Sequence, residues 1–561
     1  MKIMNLILIS LSCLNFLSCT SPADQEKKKE YPGYKSEPNI LWISCEDMSP
    51  RLGCYGDHVA QTPNLDRLAR EGQRYTHVFT SAPVCAPCRA GIITGMYQTS
   101  IGAHHMRVSH RSPGLPTPYE TVPPPYVKTF TEYLRAAGYF CTNNAKTDYQ
   151  IGNPFTAWDE CGPEAHYNHR PDTSKPFFAV FNIEITHERF TWDLPDSTDP
   201  ASVVLPPYYP DIPEARNALA RQYDNITIMD RQVGRILDEL EASGYAENTV
   251  VFFWSDHGDG LPRAKRWPYE SGTHIPLIIR WPQNVAPGSV EDRLISSVDL
   301  GPTVLSIAGI PIPVHMQGRP FLGDFTTEQN SFVVSARDRF DESYDMMRSL
   351  RTQRFRYVRN YYPNQPYVLY IPYRNNSPLM KALLNMHAEG TLKGIPAEWF
   401  ASTRPPEELY DCLSDPHNIH NLAGSPKFQK ELAGMRKQLE NWMLTTGDLG
   451  KVSEEEMVEN MWPGKIQPIT ERVSLIINYP GGPMQLLESQ DFTCQGPAEI
   501  FLYCPTQGAS MGYTFDNLQN ANWKLYTGSI HLDLGEYIIR TKAIRYGYRE
   551  SEVTGGTIKI R

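Results

Sequence analysis

Short apolar runs alternate with amphipathic stretches along the first half of this chain. Residues 38–44 (PNILWIS), 177–183 (FFAVFNI) and 249–255 (TVVFFWS) are short and rich in β-branched and aromatic residues, which is typical of buried strands. Residues 62–72 and 217–244 instead repeat apolar side chains at helical spacing. Strands that alternate with helices predict an α/β fold, in which helices flank a mostly parallel central sheet.

The second half of the chain has a different pattern. Residues 332–335 and 355–358 predict strands of a smaller sheet, and residues 428–444 predict a closing helix. From about residue 473, short strands separated by turns are typical of a β-sandwich. A chain of 561 residues is also too long to form a single ordinary compact core. The predicted order is a signal peptide (1–19), a polar tether (20–36), a main core (37–325), a C-terminal α+β subdomain (326–450), a linker (451–470) and an accessory β-sandwich (471–561).

The N-terminus predicts export. Lys2 precedes an apolar run at residues 6–14 that is too short to span a bilayer as a mature helix. The run leads to Ser18-Cys19, which resembles the lipobox of bacterial lipoproteins, where the cysteine is lipidated and becomes the new N-terminus. We therefore expect a Gram-negative bacterial protein in the periplasm, or one anchored by its lipid to the outer membrane. Simple secretion with cleavage near Cys19 is the alternative.

The net charge of −10 argues against general binding to nucleic acid, whose phosphates attract basic surfaces. No nucleic-acid partner is expected. A local pocket of lysine and arginine can oppose the overall field, so the charge is compatible with an anionic substrate.

Residues 84–95 (VCAPCRAGIITG) contain the most informative motif. Cys85 and Cys88 form a CxxC pair, which indicates either a redox pair or half of a metal site. A zinc site needs further soft ligands, and the sequence has no second CxxC to supply them. Arg89 and the flanking Pro87 suit an exposed turn that opens a helix.

The same stretch resembles the signature of type I sulfatases, Cys-x-Pro-Ser-Arg followed by Thr-Gly. In that family a maturase oxidises the first cysteine to formylglycine (3-oxoalanine), whose hydrate attacks sulfur. By this resemblance Cys85 is the modified residue, and Arg89 is the arginine that holds the hydrate. Cys88 stands where serine is usual, and a Cys85–Cys88 disulfide would be a dead end. The overall pattern resembles the bacterial polysaccharide and heparan N-sulfatase-like branch, which implies an alkaline-phosphatase-like fold.

Acidic residues that follow two of the predicted strands extend the resemblance. Glu46-Asp47 and Asp256-His257 each come directly after a strand, and functional residues of parallel sheets cluster past the carboxyl ends of the strands. In the family these positions, together with the modified Cys85, hold a divalent cation. Three carboxylates and one neutral ligand suit Ca²⁺, while the softer histidine nitrogen leaves Mg²⁺ and Mn²⁺ open.

Four further residues match catalytic positions of the family. Lys146 resembles the lysine that clamps sulfate, and Asp148 replaces a histidine that helps to restore the aldehyde. His187 follows a predicted strand, as does the family histidine that donates a proton or hydrogen bond to the leaving atom. Lys265 resembles a lysine that contacts both sulfate and leaving group.

Candidates for sugar binding lie outside this set. His105 and Arg107 follow the signature helix, in a region that lines the sugar subsite of related polysaccharide sulfatases, and are candidates for contacts to a carboxylate or second sulfate. His274 precedes a strand start that is similar across the family and is a third candidate.

The predicted function is hydrolysis of O-sulfate or N-sulfate groups on sulfated poly- or oligosaccharides. A phosphodiesterase or phosphonate hydrolase of the same superfamily is one alternative, because phosphate would accept the same lysines. A non-catalytic, glycan-binding lipoprotein is another, because Cys88 and Asp148 depart from the family pattern.

Overall fold

An eight-stranded sheet forms the centre of the molecule, as seen in a computed structural model that describes residues 37–487 and 491–561. The strand order is β4-β3-β5-β1-β6-β7-β2-β8, and β7 alone runs antiparallel to both of its neighbours. The predicted mostly parallel sheet is therefore confirmed. Its strands are β1 (Asn39–Cys45), β2 (Gln73–Phe79), β3 (Phe140–Asn144), β4 (Glu160–Cys161), β5 (Phe177–Ile183), β6 (Thr249–Ser255), β7 (Leu277–Arg280) and β8 (Ser289–Ser296).

The central strands carry apolar side chains on both faces of the sheet. Successive side chains of a strand point to opposite faces, so each strand contributes to two cores. In β1, Leu41 and Ile43 belong to one core cluster, whereas Ile40 and Trp42 belong to the other. This double burial explains why the strands read as unbroken apolar runs in the sequence.

Helices cover both faces. Helices α1 and α4 pack on the face of Leu41, and α2, α3 and α6 pack on the face of Trp42. The helix predicted at 217–244 begins four residues earlier, at Pro213, since proline is favoured in a first helical turn. The helices are α1 (Pro63–Glu71), α2 (Cys85–Thr94), α3 (Phe130–Ala136), α4 (Pro213–Ala242), α5 (Glu270–Thr273) and α6 (Leu300–Ile307).

Helix α2 begins at Cys85, but the exposed turn expected there is wrong. Every residue of α2 is buried, so the helix has no polar outer face. Cys88 and Ile92 lie in the core cluster against the sheet. The apolar residues of the motif are therefore packing residues, and the motif lies inside the molecule.

A smaller antiparallel sheet follows, with the order β12-β11-β10-β9. Helix α9 packs on it through Leu432, Met435 and Leu439, in line with the predicted closing helix. The elements of this region are β9 (Val333–Arg337), β10 (Met347–Arg351), β11 (Phe355–Asn360), α7 (Pro378–Ala388), α8 (Ile395–Glu398), β12 (Glu407–Asp411) and α9 (Gln429–Thr446).

The C-terminal region contains two sheets that pack face to face. Their orders are β14-β13-β16-β19 and β15-β21-β20-β17-β18, and Ile477 and Ile500 of one sheet share a core with Ile539 and Ile558 of the other. This arrangement is the predicted β-sandwich. The elements are α10 (Glu454–Met461), β13 (Ser474–Asn478), β14 (Gln485–Leu486), β15 (Asp491–Cys494), β16 (Ala498–Tyr503), β17 (Ser510–Thr514), β18 (Lys524–Leu525), β19 (Ile530–Leu532), β20 (Gly535–Ile544) and β21 (Thr554–Ile560).

The sandwich shares contacts with the main core. Tyr546 is buried in the core cluster that contains Phe130, and its hydroxyl donates to Glu132 Oε1 at 2.7 Å. Residues 454–461, within the segment predicted as a linker, form α10, and the buried Glu454 pairs with Arg339 at 2.6 Å. Pro38–Arg561 accordingly form one compact unit.

The predicted signal peptide (1–19) and tether (20–36) lie outside the described residues. Within the described part of the chain, no helix has the length and apolar character needed to cross a bilayer.

Candidate active site

The acidic residues meet at one edge of the central sheet because β1 and β6 are parallel neighbours. Cys45 pairs with Ser255 in register, so the residues that follow each strand emerge side by side. Glu46, Asp47, Asp256 and His257 are all buried, with at most 1% of their surfaces exposed.

Cys85 approaches this cluster from the first position of α2. Its Sγ lies 3.4 Å from His257 Nε2 and 3.9 Å from Asp47 Oδ1. Ligand-type atoms of Asp47, Cys85, Asp256 and His257 all lie within 4.8 Å of one another. The structure thus brings the predicted nucleophile and the predicted metal ligands together.

The chemistry of the cluster fits a divalent cation. Asp256 Oδ2 is fully buried and has no hydrogen-bond partner within the described residues, a state that a cation would relieve. Carboxylate oxygens from Glu46, Asp47 and Asp256 are the ligands that Ca²⁺ and Mg²⁺ prefer, and an imidazole nitrogen also suits Mn²⁺. Glu46, Asp47, Asp256 and His257 are therefore the residues that would hold the ion.

Burial and charge act in opposite directions on two of these carboxyls. Burial raises the pKa of Glu46 to about 7, although the nearby Lys146 ammonium opposes the shift. Burial also favours the neutral form of Asp47, but the charges of Lys265 and His257 outweigh it and hold the pKa of Asp47 well below its usual range.

Three cationic side chains surround the cluster. Lys265 Nζ lies 2.7 Å from Asp47 Oδ2, and Lys146 forms an ion pair with Glu46. Arg89 Nε lies 3.4 Å from Asp256 Oδ2. Arg89 is the residue predicted to hold the hydrate, and Lys146 and Lys265 are those predicted to contact sulfate; the structure brings all three to the carboxylates of the cluster.

His187 lies beside Lys265, directly after β5. Its Nε2 is 3.3 Å from Lys265 Nζ, and its Nδ1 accepts from the backbone N–H of Arg189 at 3.4 Å. Burial, together with the Lys265 charge, lowers the pKa of His187, which favours the neutral ring. The Arg189 contact at Nδ1 leaves Nε2 as the nitrogen that faces the cluster.

A cavity of about 150 Å³ lies beside the cluster, because Ala86, which follows Cys85 in the chain, is one of its lining residues. Asp148 also lines it, and Asp148 Oδ2 lies 3.4 Å from Lys146 Nζ. Arg107 lines the cavity as well; its Nε binds Asp341 Oδ1 at 2.7 Å.

The other two predicted sugar-binding residues do not line this cavity. His105 is buried behind it, where its Nδ1 accepts from the backbone N–H of Arg339 at 3.3 Å. His274 contacts the Thr76 carbonyl oxygen at 2.9 Å and stacks on Phe79, beside a separate cavity. The structure does not bring His274 to the cluster around Cys85.

Cys88 occupies a structural position. Its Sγ donates to the Asp256 carbonyl oxygen at 3.0 Å and accepts from Thr80 Oγ1 at 2.9 Å. Cys85 and Cys88 are both free thiols, so the redox-pair interpretation and the dead-end disulfide gain no support. A hydroxyl could make the same contacts as this thiol, which explains how cysteine can stand where serine is usual.

The sequence did not reveal several residues that position the site. Asn182 accepts from Arg89 Nη1 at 2.9 Å, and the Glu188 backbone N–H donates to Asp47 Oδ2 at 2.7 Å. Arg266 in turn binds Glu188 and Asp341. Asn182 does carry a signal, since it is a polar residue within the apolar run of β5.

Comparisons with known proteins agree with this geometry. The family model described as Sulfatase matches residues 38–310, and the one described as N-sulphoglucosamine sulphohydrolase, C-terminal, matches residues 262–389. An ulvan-active sulfatase of Formosa agariphila is 38% identical over 98% of each chain. The chain belongs to the sulfatase family. Human N-sulphoglucosamine sulphohydrolase is 29% identical to this sulfatase, over 77% of this chain and 95% of the human protein.

Solved structures show the same fold for this sulfatase. A structure described as a 2-O GAG sulfatase matches with a TM-score of 0.55 and 21% identity, over 74% of this chain and 93% of its own. At that identity the likeness concerns the fold, and it confirms the predicted alkaline-phosphatase-like class. Because the sequence relatives are sulfatases, the chain is a sulfuric ester hydrolase, and the phosphodiesterase and non-catalytic interpretations are not favoured.

Proposed function

We propose that this sulfatase removes sulfate from a sulfated polysaccharide of the ulvan type. The 38% identity to an ulvan-active sulfatase along nearly the whole of both chains supports this substrate class. The observation that carries the chemistry is the position of Cys85, beside buried carboxylates that are suited to a cation and that contact the positive groups of Arg89, Lys146 and Lys265.

A modified residue and a metal ion complete the proposed site. Formylglycine, made from Cys85 by a maturase, would supply a hydrated aldehyde as nucleophile. A divalent cation, Ca²⁺ for this oxygen-rich set, would polarise the S–O bonds and neutralise charge on sulfate. The four residues Glu46, Asp47, Asp256 and His257 would hold it.

The protein's own side chains position the sulfate, hydrogen-bond the leaving oxygen and accept a proton from the nucleophile. Arg89, Lys146 and Lys265 contact the carboxylates Asp256, Glu46 and Asp47 around Cys85, so their charges would hold the sulfate oxygens against position 85. His187 Nε2 faces the same point and hydrogen-bonds the leaving oxygen. Asp148, which lines the cavity beside Lys146, would accept a proton from the hydrate when the aldehyde is restored.

The test is release of sulfate from a panel of substrates by protein co-expressed with a maturase. We expect inorganic sulfate, measured by ion chromatography, from ulvan oligosaccharides, and a formylglycine residue in the Cys85 peptide by mass spectrometry. Cys85→Ala should give only background release with an unchanged melting temperature. Full activity in that variant, or hydrolysis of phosphodiesters alone, would refute the proposal.

N-sulfated glucosamine is the second candidate substrate. It is favoured by the match of residues 262–389 to the N-sulphoglucosamine sulphohydrolase C-terminal model and by the human relative. The same panel therefore includes N-sulfated heparan oligosaccharides. Sulfate release from these substrates, with none from ulvan, would replace the ulvan proposal.

We also propose that the protein is exported and lipidated at Cys19. The support is the sequence itself, with Lys2, the apolar run at 6–14 and Ser18 before the cysteine. When the full gene is expressed in a Gram-negative host with a labelled fatty acid, the parent should carry label in the membrane fraction. Cys19→Ala should lose it, with Cys13→Ala as the control that keeps it. An unlabelled parent would indicate simple secretion.

A further inference from the structure

The cavity beside Cys85 has a carboxylate in its wall to which no role has yet been given. Ala86, which follows Cys85 in the chain, and Asp148, which contacts Lys146, line the cavity together with Glu120 and Asn153. Arg89 and Lys146, which pair with Asp256 and Glu46, supply positive charge at the proposed sulfate site, whereas Glu120 adds negative charge to the cavity wall. A substrate bound here with its sulfate at Cys85 would have part of its sugar facing Glu120.

The carboxylate of Glu120 can accept more hydrogen bonds than it receives from the described residues. Among residues 37–487 and 491–561, the one hydrogen bond to its carboxylate comes from Gln467 Nε2, at 3.2 Å from Oε2. An ionised carboxylate offers about four acceptor positions, so most of them remain open. Burial raises the pKa of Glu120, and the hydrogen bond from Gln467 opposes that shift.

Gly152 keeps the space in front of this carboxylate open. Its φ is +76°, a conformation that favours glycine, and a Cβ at this position would lie 2.8 Å from Glu120 Oε2. Any larger residue would therefore push the carboxylate from its place in the wall.

Gln467 belongs to the segment that joins α10 to the β-sandwich. Its Nε2 also donates to the Gly547 carbonyl oxygen at 3.2 Å. The Gly547 backbone N–H donates in turn to the Ile151 carbonyl oxygen at 3.2 Å, next to Gly152. The C-terminal region therefore holds both Glu120 and the adjoining wall of the cavity.

The same wall stores backbone strain. Arg107, Asp148 and Gln150 all have φ values between +56° and +60°. Such conformations are unfavourable at non-glycine residues and are concentrated at ligand sites. Gln150 is held by hydrogen bonds from its Nε2 to Ala103 O and from Thr121 N to its own carbonyl oxygen.

We propose that Glu120 is a specificity residue whose carboxylate accepts hydrogen bonds from sugar hydroxyls next to the sulfated position, and that Gln467 is the positioning residue that orients it. The proposal rests on the proposed function, because it assumes a sulfated sugar in the cavity. It adds that a ring with a second sulfate on the Glu120 side is rejected, since like charges repel in a partly buried site.

The test is calorimetric titration of the full chain in a Cys85→Ala background, which binds without turnover. The probes are a monosulfated disaccharide prepared from ulvan and the same disaccharide after chemical over-sulfation. Glu120→Gln should weaken binding of the monosulfated probe about tenfold or more, as expected for a lost hydrogen bond to a charged group. Glu120→Gln should also reduce the ratio between the affinities for the monosulfated and the over-sulfated disaccharide. Gln467→Ala should weaken binding in the same direction by a smaller factor.

An exchanged double variant separates recognition from structural support. Glu120→Gln with Gln467→Glu keeps a donor–acceptor pair but removes the carboxylate from the cavity wall. We expect its melting temperature to fall by about as much as that of Gln467→Ala, which also loses the hydrogen bond to the Gly547 carbonyl oxygen, and its affinity to stay as low as that of Glu120→Gln. Lys465→Ala, which breaks an exposed ion pair with Glu455 in the same segment, is the matched control and should bind like the parent.

Each result decides a different claim. Parent-like affinity in Glu120→Gln, or full recovery in the exchanged variant, would overturn the role of Glu120 while leaving the proposed function intact. Failure of the parent itself to bind either disaccharide would overturn both the ulvan substrate class and this inference.

Discussion

Asp256 is positioned almost entirely by backbone and buried groups. Its Oδ1 accepts from the backbone N–H of Asp47 at 3.2 Å and of His257 at 2.9 Å, and its carbonyl oxygen accepts from Cys88 Sγ at 3.0 Å. Only Oδ2 lacks a hydrogen bond in the described part of the chain, and it faces Arg89. The side chain is thus held with one oxygen directed to the cluster, as a metal ligand needs.

Replacement of Asp256 by asparagine tests this ligand assignment. The amide has nearly the same shape but no charge, so we expect bound calcium, measured by mass spectrometry of the desalted protein, to fall well below that of the parent. Sulfate release should fall with it. Asp238→Asn, an exposed carboxylate on α4, should keep both. An Asp256→Asn protein with a full complement of metal would contradict the ligand set.

At the level of elements, the sequence was most informative where a pattern is local. The strands at 39–45, 177–183 and 249–255 were predictable because burial on both faces makes them continuous apolar runs. The acidic residues after two of them were predictable as a site because parallel strands end at one edge of a sheet.

Contacts between distant segments were not predictable in the same way. Helix α2 has no amphipathic pattern, because all its residues are buried, and its motif therefore looked like an exposed turn. His105 is close to Arg107 in sequence, yet the chain turns so that only Arg107 lines the cavity. The Glu120–Gln467 hydrogen bond joins residues 347 positions apart, and no local spacing encodes it.

At the scale of the whole molecule, the accessory sandwich and the main core are joined by buried polar contacts. Tyr546 OH donates to Glu132 Oε1 at 2.7 Å and accepts from the Thr129 backbone N–H at 3.2 Å. Lys128 Nζ donates to the Gly508 carbonyl oxygen at 2.7 Å. Such buried pairs are satisfied only while both regions are docked, so unfolding of one exposes unpaired groups in the other.

We therefore expect the full chain to unfold in a single calorimetric transition. Tyr546→Phe removes the partner of two buried groups and should lower the stability of that whole transition by about 1–3 kcal/mol. Tyr503→Phe, at an exposed tyrosine of the sandwich, should change it by less than about 0.5 kcal/mol. Two separate transitions in the parent, with only the smaller one moved by Tyr546→Phe, would contradict this coupling.

The depth of Cys85 has a consequence for the order of events in the cell. Only 2% of its surface is exposed, at the start of a helix whose every residue is covered. A second enzyme has no route to a sulfur atom at that depth. The proposed oxidation of Cys85 would therefore have to happen while this stretch is still an extended peptide, and molecules that fold before they meet the oxidising enzyme would keep their thiol.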